Sequence, residues 1–141
     1  MDASVLVSEF GDVDTAALAR ASNWQIKYKL LMTWGNSVSV KPWLRQDEYL
    51  VRGCDTSLWL FCAVREERVY FSVDGDSRII KGLAALLLAQ VNGAAKADIL
   101  SMDLAHLLTR LQLDRHLAPS RNNGFAALVS RVLESVRALN A

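Results

Sequence analysis

Two cysteines and two histidines carry most of the nucleophilic, metal-ligating or redox chemistry open to this sequence, and their spacing narrows the options. Cys54 and Cys62 stand eight residues apart in VRGCDTSLWLFC (51–62). Gly53, just before Cys54, permits a tight turn that presents the thiol at its tip. The thiolate is the reactive form, and a cation such as Arg52 beside it favours ionisation. On these local features two readings stay open: a reactive thiol among the polar residues Asp55, Thr56 and Ser57, or a buried structural cysteine. Cys62 lies in LFCAV (60–64), where a small apolar side chain fills a strand, and is read as structural. An extended chain rising ~3.3 Å per residue puts the two too far apart for a disulfide. No Cys-x-x-Cys redox motif is present. His106 and His116 lie ten residues apart in another region, with no ligand pairing at zinc-site spacing. His106 fits a half-exposed helical position, and His116 fits a cation near a helix C-terminus. No nucleophile elbow or glycine-rich phosphate loop occurs.

The elements that must position these residues follow from periodicity and caps. A short helix begins near Asp14. Ser22 and Gln25 have capping-box spacing ahead of Trp24, Tyr28, Leu31 and Trp34, which form one apolar helical stripe closed by Gly35 as the C′ residue. Residues 36–55 read as loop, with one turn of helix or a short strand over 43–50. Residues 56–64 and 69–73 read as strands joined by the charged connection REER (65–68), and the apolar run in the first implies a central strand. DGDS (74–77) reads as a turn into a helix apolar almost all round, ending at Gly93. A further helix is expected over 98–111, and a last one capped by Ser120 with Phe125, Leu128, Val129, Val132, Val136 and Leu139 at helical spacing. This order predicts an α+β fold, a small antiparallel sheet of about three strands packed by helices.

The 141 residues suit one domain, 1–141, with residues 1–13 expected to be flexible. Sixteen basic against fifteen acidic side chains, with no basic tract, argue against nucleic acid as a partner. The four tryptophans, lacking a basic patch, suit a core or interface rather than a stacking platform. The N-terminal MDASVLVSEFGDVD lacks a signal-peptide pattern, and no apolar run approaches the ~20 residues of a membrane span. With free thiols, these features lead us to expect a cytoplasmic protein without membrane association.

Four blocks, in order, resemble one family. WQIKYKLLMTWG (24–35) is similar to the W-x-x-[KR]-Y-[KR]-x-L-x-x-x-G opening of the SufE/CsdE sulfur acceptors, and VRGCDTSLW (51–59) to their V-x-G-C-x-x-x-V-W signature. DGDSRIIKGL (74–83) matches the D-S-[DE]-x-x-[IV]-[VI]-[KR]-G-L block, with Gly75 at the usual serine position, and SRNNGF (120–125) resembles S-R-x-x-G-[LF]. The resemblance implies an α+β fold related to cluster-scaffold proteins. It also implies that the chain accepts sulfur from a cysteine desulfurase, whose pyridoxal phosphate belongs to the desulfurase, so that this chain needs no cofactor or metal. Cys54 falls on the acceptor position as the persulfide carrier, with Gly53, Arg121 and Asp74 in supporting or partner-binding positions. The persulfide is then passed to a downstream acceptor protein towards iron–sulfur cluster assembly or a related pathway. Such a protein is a carrier that stimulates its partner, without small-molecule turnover of its own. The alternative is an iron–sulfur or zinc scaffold, for which the extra ligand cysteines are missing. Asp55-Thr56-Ser57 departs from the family's common Q-S type, and the long segment before Trp24 is closer to the CsdE-like branch. Apolar neighbours Val51, Leu58 and Trp59 are expected to hold the thiol inward.

Overall fold

Asp14 and Asn23 open two successive helices by the same device: the side-chain oxygen accepts a backbone N–H three residues on, from Ala17 at 2.9 Å and from Ile26 at 3.0 Å. The computed structural model describes residues 9–140. Helix α1 spans Thr15–Arg20 and α2 spans Trp24–Asn36. The cap of α2 is therefore Asn23, not the expected Ser22 box, because Asn23 has the extended backbone of a cap and Trp24 is already helical. Of the segment 1–13 expected to be flexible, residues 1–8 lie outside the described residues, but Phe10 is buried in the core and Glu9 pairs with the buried Lys41 at 2.6 Å. A buried phenylalanine and a shielded ion pair tie residues 9–13 down.

Two short 3-10 turns, Pro42–Leu44 and Asp47–Tyr49, lead to strand β1 at Leu58–Arg65. Strand β2, Arg68–Gly75, pairs with it antiparallel from Leu58↔Gly75 to Arg65↔Arg68. The hairpin turns on Glu66 and Glu67, both at positive φ (53° and 64°). Two such residues match the twist of antiparallel strands, here without the usual Asn or Gly. The two-residue strand β3, Ala94–Ala95, pairs with β2 on its other side. The order β1-β2-β3 corrects the expectation for the first strand: β2 is central and β1 lies at the edge. The apolar run in β1 has another cause. Its Leu58 and Leu60 face the helices, while Phe61 on the opposite face meets the rings of Trp43 and Tyr49 edge-on at 5.8 and 5.7 Å.

Asp74 and Gly75 complete β2 rather than a turn, and Ser77 caps α3, Arg78–Val91. Residues Leu83 to Leu88 of α3 are all buried, because β2, α2 and the last helix surround it. The crossing of α2 and α3 is glycine on glycine. A Cβ on Gly35 would meet the carbonyl oxygen of Arg78, and one on Gly82 the carbonyl oxygen of Leu31. Gly35 thus serves a close backbone approach inside its helix and not a C-terminal stop. The helix expected over 98–111 is two pieces, α4 at Lys96–Ser101 and α5 at Leu107–Arg110. The break falls where Met102 is extended and the Asp103 carboxylate holds His106 Nδ1 at 3.0 Å, a local bond that competes with helix. His106 therefore has a partner acid three residues back, and His116 stacks on Trp24 at 5.2 Å instead of closing a helix. Helix α6 spans Pro119–Arg137, with Pro119 in its first turn and Ala118 as cap, so Ser120 lies inside it. Its buried Phe125, Leu128, Val129, Val132 and Val136 keep the expected spacing.

These elements form a three-stranded antiparallel sheet packed by helices, the α+β arrangement predicted above. Among the described residues no helix is long and apolar enough to cross a membrane.

Candidate functional site

The Cys54 loop hangs between two fixed points. At its start Leu50 bridges Trp59, and the Val51 N–H donates to the Leu58 carbonyl at 2.8 Å, which closes residues 51–58 into a loop. Gly53 has φ +96°, the left-handed region that its missing side chain makes accessible. A Cβ there would also lie 3.2 Å from Ala127 Cβ on α6. The turn therefore delivers Cys54 towards α6, beside a cavity of about 270 Å³ lined by residues 50–57.

The thiol points inward. Cys54 is partly buried and packs against the core, and its Sγ–H donates to the Gly124 carbonyl at 3.4 Å. Burial, and then the charge of Asp55, push its pKa up, so at rest the sulfur keeps its proton. No thiolate is preformed: Arg52, expected as an activating cation, is exposed, and the charge acting on the sulfur is that of Asp55. Of the three residues expected to hold the thiol inward, Val51 and Leu58 are buried in the core, while Trp59 is partly exposed and lies under Arg45. Thr56 Oγ1 is buried without a hydrogen-bond partner among the described residues, an omission that costs about 1–3 kcal/mol. The resting loop thus combines several ties with one unsatisfied hydroxyl.

Arg121 reaches this loop. It lies in the first turns of α6 and pairs with Asp55 at 3.7 Å, with both side chains partly in water. Asp55, which sequence reasoning left without a role, is therefore the residue that joins Arg121 to the cysteine loop. Gly124 belongs to the same sequence block, and its carbonyl is what the thiol meets. Asp74 sits elsewhere. It is fully buried, and its carboxylate accepts from the Lys41 N–H (2.7 Å), Arg45 Nε (2.9 Å) and the Gly75 N–H (2.8 Å). Burial alone would raise its pKa, but the Arg45 guanidinium and the two backbone donors outweigh that and hold it below the usual carboxylate range. Arg45 in turn lies over the Trp59 ring, 4.6 Å from its centre. Asp74 thus connects to the Cys54 loop through Arg45 and Trp59. Neither Arg45 nor Lys41 carried a signal in the sequence, because their partner is about thirty residues away.

Cys62 lies within β1 opposite Phe71, on the strand face that carries Leu58 and Leu60, and is partly buried. Burial raises its pKa while Arg131 opposes the rise. Both cysteines are free thiols. Among the described residues no group of three or more His, Cys, Asp or Glu stands where it could hold a metal ion.

The fold is similar to the solution structure of a hypothetical protein from Thermus thermophilus, with a TM-score of 0.72 over 92% of this chain and 93% of that one. The two are 17% identical, so the likeness concerns the fold alone. A family model described as "SufE: Fe-S metabolism associated domain" matches residues 14–136, which take in the helices, the sheet and the Cys54 loop. The chain belongs to the SufE family, and its role lies in sulfur transfer and iron–sulfur metabolism.

Proposed function

We propose that this chain accepts sulfane sulfur from a pyridoxal-phosphate-dependent cysteine desulfurase, with Cys54 as the covalent carrier. The observation that carries the reading is the placement of Cys54: an inward thiol that donates to the Gly124 carbonyl, on a loop whose outer ties are weak. The Cys54 thiolate attacks the terminal sulfur of the persulfide on the partner's own cysteine. A new S–S bond forms on Cys54 as the partner's S–S bond breaks, and the partner's cysteine leaves with the electron pair. That leaving thiolate takes up the proton that Cys54 gave up. Sulfur moves between two thiols, so no external oxidant or reductant is consumed. The Cys54 persulfide then passes its sulfur to a downstream acceptor protein in iron–sulfur cluster assembly or a related pathway.

An inward, protonated thiol suits a carrier, because a thiol that loses its proton only on the partner is protected between encounters. Opening the loop breaks one thiol hydrogen bond and one solvent-exposed ion pair, and exposed pairs contribute about 0–1 kcal/mol. It also returns the Thr56 hydroxyl to water. These terms are small enough for a docking desulfurase to offset. In this reading Gly53 supplies the turn, and Arg121, released from Asp55, brings a positive charge to the thiolate. Asp74 braces the loop base through Arg45 and Trp59. The scaffold alternative has no observation in its favour.

The test is sulfur loading followed by intact mass. The protein is incubated with a cysteine desulfurase, pyridoxal phosphate and free cysteine. One added sulfur is expected on the wild type and none on Cys54→Ser. No adduct on the wild type, or an equal adduct on C54S, overturns the assignment. Unchanged acceptance by Arg121→Ala removes Arg121 from the site.

A further inference from the structure

One stripe of α6 holds the Cys54 loop from tip to stem. Arg121, Gly124, Ala127 and Arg131 follow at intervals of three, three and four residues, the spacing of one helix face. They meet the loop in reverse chain order. Arg121 pairs with Asp55, the Gly124 carbonyl accepts from Cys54, and Ala127 lies against Gly53. Arg131 donates to the main-chain carbonyls of Leu50 at 3.1 Å and Glu48 at 2.8 Å.

These ties differ in kind. At the tip are a 3.7 Å ion pair partly in water and a 3.4 Å hydrogen bond from a thiol, a weak donor. At the stem a planar, permanently charged guanidinium spans two carbonyls with two short bonds. Both carbonyls lie just ahead of the point where Leu50 bridges Trp59 and Val51 bonds Leu58. Stem and helix are therefore joined by bonds that survive a change at the tip.

We infer that Arg131 is a positioning residue for Cys54. It fixes the stem of the loop to α6, confines opening to residues 52–57, and so gives the thiol one path outward instead of letting residues 47–58 peel from the helix. The inference rests on Cys54 being the sulfur acceptor, since attack on a persulfide requires the two sulfurs to meet at about 3–3.5 Å in line. A loop free at both ends presents its sulfur in many orientations, few of them productive. Arg131 lies outside the four sequence blocks, and no spacing in the sequence connects it to residues 81 and 83 positions earlier.

The test uses Arg131→Ala and Arg131→Lys in the full chain. Amide hydrogen exchange is read at Val51, and alkylation is assigned to Cys54 or Cys62 by peptide mass. In R131A the Val51 amide is expected to exchange about tenfold faster, with Cys54 alkylation rising by a similar factor, while the amides of α3 keep wild-type rates. R131K, whose single ammonium reaches one carbonyl at a time, is expected to show about a threefold rise in both, and it carries the test should R131A not fold. Transfer from a persulfide-loaded desulfurase at saturation is expected to slow in R131A although its thiol is more exposed. Wild-type Val51 exchange and Cys54 alkylation in the folded variants overturn the inference, as does a rise spread evenly over α3. Exchange and alkylation need no desulfurase. A wild type that takes up no sulfur therefore refutes the acceptor reading, while a local Val51 effect in the same sample still registers the clamp.

Discussion

Replacing Asp74 by asparagine keeps the shape of the side chain and removes one acceptor, and its cost can be worked from the contacts. Oδ1 accepts from the Gly75 N–H at 2.8 Å and from an Arg45 guanidinium nitrogen at 3.3 Å. Oδ2 accepts from the Lys41 N–H at 2.7 Å and from Arg45 Nε at 2.9 Å. An asparagine has one oxygen, so in either orientation its NH2 faces a buried backbone N–H, donor against donor. One unsatisfied buried donor costs about 1–3 kcal/mol. Arg45 is partly in water and keeps its 2.8 Å pair with Asp76, so loss of the charge opposite it adds only about 0–1 kcal/mol, for a total of about 1–4 kcal/mol. Urea unfolding followed by tryptophan fluorescence is the assay, and the midpoint of Asp74→Asn is expected about 1 M below wild type at neutral pH. The pH dependence adds a second signature. A carboxyl whose folded pKa is depressed stabilises fully above its unfolded value and loses that contribution as pH falls through the folded one. The gap between wild type and D74N is therefore expected to be constant from about pH 5 to 8 and to close only below about pH 4. A midpoint within about 0.3 M of wild type at neutral pH would refute the account of Asp74 as a buried organising charge.

Two further outcomes follow from the same geometry. Asp55→Asn removes a charge that raises the Cys54 pKa and also the partner of Arg121, so the midpoint of Cys54 alkylation against pH moves lower. The rate at neutral pH rises about twofold to fivefold, the scale of one exposed ion pair, and an unmoved or higher midpoint contradicts this. Gly82→Ala places a methyl against the Leu31 carbonyl at the α2–α3 crossing, where backbone cannot yield. Thermal unfolding should show a net loss of about 1–2 kcal/mol, overpacking of about 2–3 kcal/mol outweighing alanine's helix preference of about 1 kcal/mol, and wild-type stability of G82A would show that the helices part freely.

Several parts of the fold were legible because their signals are local. The hairpin at residues 65–68, the helix start near Asp14, the apolar α3 and the stripe of α6 all rest on residues within a few positions of one another. Two errors fell where a contact with a separate segment decided the outcome. Gly35 resembled a helix stop, but the approach of Gly82, forty-seven residues on, keeps it inside a helix. Strand β1 had the composition of a central strand, yet the 3-10 segments carrying Trp43 and Tyr49 cover an edge strand well enough to produce it. The continuous helix expected over 98–111 gave way to the Asp103–His106 bond, a local competitor that periodicity alone does not register.

By itself the sequence determined the family, through four ordered blocks, and marked the place of the turn before Cys54, through Gly53. Motif and backbone preference are properties of neighbouring residues, and neighbours are what a sequence displays. Only the tertiary structure decided the state of the thiol. The Gly124 carbonyl that Cys54 meets, the Asp55–Arg121 pair and the Arg131 clamp all come from α6, far beyond the loop in the chain. Ionisation depends on which charges and which solvent surround a sulfur, and packing brings those together from distant parts of the chain.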